Sequence, residues 1–313
     1  MLIILILTSL VLIPIQEAAV HPYSDFRGYD RSINVFNPDG ELMQTRYAEE
    51  AASKGDTIVC VTSSSQFDLS MASTAASSRI VLGISTKAED KFLDRSGSGI
   101  DKVSKVDDNI WVACTGLAGD GRALLRITRM VCANYRTRYG CPPTMQYLAG
   151  AIGEMQHEFT LSGKERPYGV SLMFIGFDED SLTPQVLVSK VDGSVSSWSA
   201  VSVGKQSSSC MEYLTGELTE EGNDVGSHRE HHVPSFEKAA KVVMESFNLP
   251  ALRRASDDQE EEGGHEEVDD NTYISESPCD IYVFKRDSLD VPATLQVFLR
   301  VRDVVEVLGD ERD

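Results

Sequence analysis

His228-Arg-Glu-His-His232 sets two imidazoles four residues apart, a spacing at which helical side chains share a face and can share a divalent metal. The order is not His-Glu-x-x-His, and Gly222 and Gly226 make the surroundings loop-like. The cluster therefore reads as a polar surface segment, and no metal site is assigned. Gly116-Leu-Ala-Gly-Asp-Gly121 follows an apolar run and opens a helical one, a place where backbone N–H groups can cradle phosphate. Its spacing is G-x-x-G-x-G and no Gly-Lys-Ser/Thr is present, so it reads as a tight strand-to-helix turn. There is no G-x-S-x-G elbow, and no Ser/His/Asp or Cys/His set can be assembled from spacing. The six cysteines, Cys60, Cys114, Cys132, Cys141, Cys210 and Cys279, form no C-x-x-C pair. Cys60 and Cys114 sit inside apolar runs and read as buried, reduced thiols. Thr57, just after Gly55, is a hydroxyl at the mouth of an apolar strand.

The elements that must position such groups follow from periodicity. Asn37-Pro-Asp-Gly40 is a turn between an alternating stretch and a helix whose Met43, Tyr47 and Ala51 fall at i, i+4, i+8, closed by Gly55. Thr57–Val61 lacks polar alternation and predicts a strand covered on both faces. Thr62–Arg79 is Ser/Ala-rich and predicts a long surface loop. Strands are predicted at 80–84, between Val103 and Val106, at 110–114, 170–177, 185–191 and 279–285. Leu124, Ile127, Val131 and Tyr135 predict the buried face of one helix, with Arg122, Arg126, Arg129 and Arg136 on its solvated face. Leu148, Ile152, Met155 and Phe159 repeat the pattern in a second. Further helices are predicted near 207–214 and 236–247, with a closing helix over 292–308. The order is strands, paired helices, strands, helices, without strict βαβ alternation. It predicts an α+β chain: a four-layer α/β/β/α sandwich of two mainly antiparallel sheets, with an N-terminal helix.

Composition bounds the function. The chain has 313 residues and a formal charge of −20, which repels rather than neutralises phosphate and argues against nucleic acid. Nine acids fall between Asp257 and Asp270 with no Lys or Arg among them, a composition that predicts a solvated surface insertion. Leu2–Ile15 is apolar apart from Thr8 and Ser9. It is too short to span a bilayer comfortably but has the length of a signal-peptide core. It lacks a basic flank, and Glu17-Ala18-Ala19 is a poor cleavage site, so residues 1–20 read as an apolar leader or a dispensable extension. The mature chain is expected to start after about Val20.

Tyr29-Asp30-Arg31, Val35-Phe36, Asn37-Pro38-Asp39-Gly40, Gln44 and Arg46-Tyr47-Ala48 resemble the N-terminal signature of proteasome α-type subunits. The resemblance returns at "RYGCPPTMQYLAGAI" and "RPYGVSLMFIGFDED" and covers about residues 26–250. It departs at Asn37 (family Ser), Glu41 (family basic) and Arg46 (family Glu), and in the long 62–79 and 255–277 stretches. It implies the Ntn-hydrolase sandwich. It divides the chain into a leader at 1–20, a gate tail and N-terminal helix at 21–55, a sandwich at 56–254, an acidic insertion at 255–277, and a final strand and helix at 278–313. It also implies a place in a seven-membered ring. Tyr29, Asp30, Arg31, Pro38 and Tyr47 would form the gate and its turn, with Pro38 setting φ for the bend and the tyrosines packing around it.

By the match, the nucleophilic threonine of catalytic β-type relatives falls on Asp56, their aspartate falls on Ser85, and only their lysine persists, as Lys102. An internal Asp supplies neither hydroxyl nor free amine, and Thr57 is one position late. The resemblance thus implies a non-catalytic subunit of the core particle without cofactor, in the cytoplasm and nucleus, acting in ubiquitin-dependent degradation. Implied partners are other α subunits, β subunits and the C-termini of regulatory ATPases or activators, which would be captured at Lys102 and Gly55; no stable membrane association is implied. Two alternatives stand beside it: an autoprocessed Ntn-type hydrolase, and a secreted or organelle-routed relative outside any ring.

Overall fold

The computed structural model describes residues 29–63, 78–85, 102–161, 165–178, 183–219, 234–247, 279–286 and 292–298. The leader, the His228–His232 cluster and the acidic insertion lie outside these residues, as do positions 64–77 and 299–313.

Among the described residues, ten strands form two antiparallel sheets. One orders β10 (Thr294–Phe298), β9 (Cys279–Arg286), β2 (Ser78–Ser85), β1 (Ile58–Ser63) and β8 (Ala200–Val203). The other orders β3 (Val103–Asp107), β4 (Ile110–Gly116), β5 (Val170–Phe177), β6 (Pro184–Ser189) and β7 (Val195–Ser197). Between them lies a core to which the first sheet gives Ile58, Cys60, Leu82 and Phe284 and the second Trp111, Met173, Ile175 and Val188. α4 (Ser207–Thr219) and α5 (Phe236–Ser246) cover the outer face of the first sheet through Cys210, Leu214, Ala240 and Val243. α2 (Ala118–Tyr139) and α3 (Met145–Leu161) cover the second through Leu124, Met145, Leu148 and Ile152. Apolar side chains thus face both ways from each sheet, which is why β1 is buried at every position and shows no alternation in sequence. This is the four-layer sandwich predicted above.

Several local expectations change. Thr62, Ser63, Ser78 and Arg79, expected in the loop, instead extend β1 and β2, where Thr62 pairs with Ile80 and Ser63 with Arg79. The predicted closing helix is, over Thr294–Phe298, a strand paired with β9. Thr294 and Gln296 are exposed while Leu295 between them is half-buried, the period of two that a strand requires. β7 and β8 escape a reading by periodicity because strands of three and four residues hold too few apolar positions to show a period. The buried stripe of α2 is rotated: Leu124, Thr128 and Cys132 face inward, whereas Ile127, Val131 and Tyr135 flank it, half-buried. Its arginines are also not simply solvated. Arg129 donates to the Lys105 carbonyl at 3.0 and 2.9 Å, and Arg136 reaches Asp107 at 2.5 and 3.1 Å, so both tie the β3–β4 hairpin to the helix.

All six cysteines are free, and Cys141 alone is exposed. Burial pushes the Cys114 thiol up to about 12 and, with Asp107 nearby, raises Cys132 to about 12; burial raises Cys60 further still. Because the thiolate is the reactive form, iodoacetamide on the folded chain should modify one cysteine rapidly, Cys141, and the others only after unfolding. Peptide mapping of the early product checks this.

Asp120 opens the first turn of α2 and is gripped by Arg166, with Nη1–Oδ2 at 2.6 Å and Nη2–Oδ1 at 2.8 Å. It also accepts the Gly169 amide at 3.0 Å. The "RPYGV" stretch is thereby fastened to the helix that β4 leads into. The hydrogen bond from Arg166, then that from Gly169, lower the Asp120 pKa from the ordinary carboxylate range. A depressed folded pKa means stability that is present above the unfolded value, about 3.9, and lost as pH falls through the folded value. Melting temperature should therefore drop below about pH 4, and Asp120→Asn should flatten part of that acid limb. An unchanged limb would dismiss the pair's contribution.

Candidate functional site

The site grows from the close approach of two chain ends. α1 (Met43–Ser53) stops at Lys54 and the chain passes through Gly55 into β1. β4 ends at Gly116, whose φ of +119° lies in the region reserved for glycine. A Cβ on Gly55 would collide with the Gly116 nitrogen and the Thr115 hydroxyl, so the two backbones can meet only because Gly55 lacks one; a Cβ on Gly116 would instead overlap the Gly169 carbonyl oxygen. Hydrogen bonds then fix the strand entrance. Thr115 Oγ1 donates to the Asp56 carbonyl at 2.7 Å, Lys205 N donates to the Gly55 carbonyl at 2.8 Å, and the Thr57 hydroxyl donates to the Lys205 carbonyl.

Asp56 is thus a backbone-anchored residue with a half-buried carboxylate, and that carboxylate forms an ion pair with Lys102 Nζ. The same ammonium donates to the Ser85 carbonyl at 3.4 Å. The structure therefore gathers Gly55, Asp56, Ser85 and Lys102, four positions that the family resemblance connects, at one end of β1. The ion pair itself is not legible in the sequence. Its partners lie on different elements far apart in the chain, and no spacing rule links charges over that distance.

The N-terminal tail forms a second cluster. Gly40 N donates to the Asn37 carbonyl at 2.9 Å, with Pro38 at the second position of the turn and Gly40 at φ +82°. Phe36 and Leu42 form a bridge across it. Among the described residues, the side chain that closes this turn is Asn37. It is buried, accepts Glu41 N at 2.7 Å and donates toward Glu41 and Met43. Gln44 donates to the Asp30 carbonyl, tying the Tyr-Asp-Arg stretch to α1. Tyr47 is 44% exposed rather than packed under the helix, because α1 rests on the ends of β4 and β5 and buries only Met43 and Ala52. Val35 and Phe36 are exposed beside it. Glu41 and Arg46, both departures from the signature, pair with each other at 2.6 Å.

Two family models match this chain. One, described as proteasome subunit, spans residues 72–242. The other, the N-terminal signature of α-type proteasome subunits, spans 29–51, the stretch that builds the tail, the turn and most of α1. The chain belongs to the proteasome subunit family. The alpha type-7 proteasome subunit of Dictyostelium discoideum is 37% identical over 220 residues, covering 70% of this chain and 79% of that one. Its namesake in Solanum lycopersicum is 35% identical over 186 residues, 59% of this chain and 66% of that one. The alpha type-7-like subunit of Macaca fascicularis is 30% identical over 229 residues, 72% and 84% of the two chains. Proteasome membership and the α-type signature agree with the resemblance read from the sequence. No helix among the described residues is long and apolar enough to cross a membrane. No group of His, Cys, Asp or Glu among them could hold a metal.

Proposed function

We propose that the chain is a non-catalytic subunit of the α ring of the proteasome core particle, active in the cytoplasm and nucleus in ubiquitin-dependent protein degradation. The observation that carries this reading is Asp56. At the position matched to the threonine nucleophile, the chain has a carboxylate, already paired with the retained lysine. A carboxylate tied to an ammonium is neither the hydroxyl nor the amine that the threonine mechanism uses.

In this reading the tail through Tyr29, Asp30 and Arg31 lies at the ring's axial pore. The Pro38 turn and Tyr47 fix its direction, and the exposed Val35, Phe36 and Tyr47 supply the apolar area that a neighbouring subunit covers. The internal Glu41–Arg46 pair keeps the reversed charges satisfied within the chain. Lys102, with Gly55 beside it, is the cation that takes the C-terminal carboxylate of a regulatory ATPase or activator. The other face of the subunit stacks on a β ring. The named relatives make a type-7-like place in the ring the first one to examine.

Native purification of the tagged full-length chain, with mass spectrometry of the co-migrating chains, tests the assignment. Six other α-type and seven β-type subunits should accompany it. Recovery of the chain alone, or with unrelated partners, would refute it.

A further inference from the structure

The carboxylate of Asp56 already sits on Lys102, and its backbone cannot drift away. The Asp56 carbonyl is held by Thr115 Oγ1, and the flanking Gly55 carbonyl and Thr57 hydroxyl are bonded to Lys205. Gly204 packs so closely against the same carbonyl that a Cβ on it would overlap the oxygen. With that backbone fixed, the pair opens only by rotation of the Asp56 or the Lys102 side chain. We infer that Asp56 is the specificity-determining residue of the Lys102 site, an internal carboxylate that excludes an incoming one. This rests on the reading of Lys102 as a carboxylate acceptor, and it names what governs access to it.

The physical reason is competition at unequal concentration. A group that the fold holds beside its partner acts at an effective concentration of about millimolar or more, whereas a regulator's terminus arrives at far lower concentration. Nor can the two carboxylates share the lysine without cost, because like charges within a few ångströms repel. Both side chains are half-buried, with Lys102 28% and Asp56 32% exposed, so solvent screens both effects only in part. Compared with a site in which this position is neutral, the present one should therefore be closed to a simple terminal carboxylate. It opens only to a ligand whose other contacts are strong enough to displace Asp56.

The test uses assemblies purified through this chain and a heptapeptide carrying a benzophenone and a free C-terminal carboxylate, with the C-terminal amide as its control. Adducts are mapped to this chain by mass spectrometry, so sites on other subunits do not mask the result. Asp56→Asn keeps the shape and removes the charge. It should raise the yield of free-acid adducts on this chain by about tenfold or more while leaving the amide yield unchanged, and adding Lys102→Ala should abolish the gain. If the unsubstituted chain already prefers the free acid as strongly as the Asp56→Asn chain does, in a Lys102-dependent manner, the inference about Asp56 is overturned and the acceptor role of Lys102 stands. If neither chain distinguishes acid from amide, Lys102 is not a carboxylate acceptor and both readings fall.

Discussion

Gly116→Ala is expected to destabilise the chain by about 3 to 5 kcal/mol, the sum of overpacking and backbone strain. The added methyl would overlap the Gly169 carbonyl oxygen and approach the Cα atoms of Ala52 and Val170 to 3.0 Å. All three are backbone atoms of packed elements, so none can swing aside as a flexible side chain would. The φ of +119° adds a conformation that alanine resists. Relief would require the Gly169–Val170 backbone to shift away from β4 and α1 to yield at Ala52. Thermal unfolding should register a drop of roughly 10 °C for a domain of this size. Gly119→Ala, three residues on, meets nothing within 4 Å and should be neutral or slightly stabilising, since alanine is the better helix former. Equal melting temperatures for the two variants would contradict the close packing of Gly116 against Gly169, Val170 and Ala52.

Phe284→Ala is expected to cost a similar amount, about 3 to 5 kcal/mol. Phe284 is fully buried between the sheets, and its ring lies 5.1 Å from that of Trp111 at 58°. The pair joins β9 of one sheet to β4 of the other, so truncation loses the transfer free energy of the ring, an aromatic contact, and the packing around the void it leaves. Phe284→Leu refills most of that volume and should cost about 1.5 kcal/mol or less. Urea midpoints for the two variants should separate clearly. Coincident midpoints would mean that the sheets do not meet at this contact.

Most of the layering is legible in the sequence because each layer has its own period. Runs such as Ile58–Val61 lack alternation since both faces are covered, and α3 carries its buried residues at helical spacing. What escapes depends on pairing across long separations. Arg166 with Asp120 and Lys102 with Asp56 are opposite charges that only the folded sheets bring together. The rotation of α2 escapes for a different reason: Thr128 and Cys132 fill its inner face, and neither residue signals a core position by hydropathy alone. The strand at Thr294–Phe298 is hidden because five residues of mixed polarity fit a helical stripe as well as an alternating one, and its pairing with β9 decides the matter. At the site, residue matching brings out Asp56, Ser85 and Lys102 but says nothing of what they do to one another. It likewise brings out the Pro38 turn without revealing that Asn37 closes it.

The most direct measurement of the central claim is labelling of the purified assembly with a threonine-directed covalent inhibitor bearing an affinity handle, followed by the intact mass of every chain. The account predicts that β-type chains carry the inhibitor, while this chain carries none and remains continuous from Gly55 through Asp56 to Thr57. A chain that begins at Thr57 and bears the inhibitor there would contradict it.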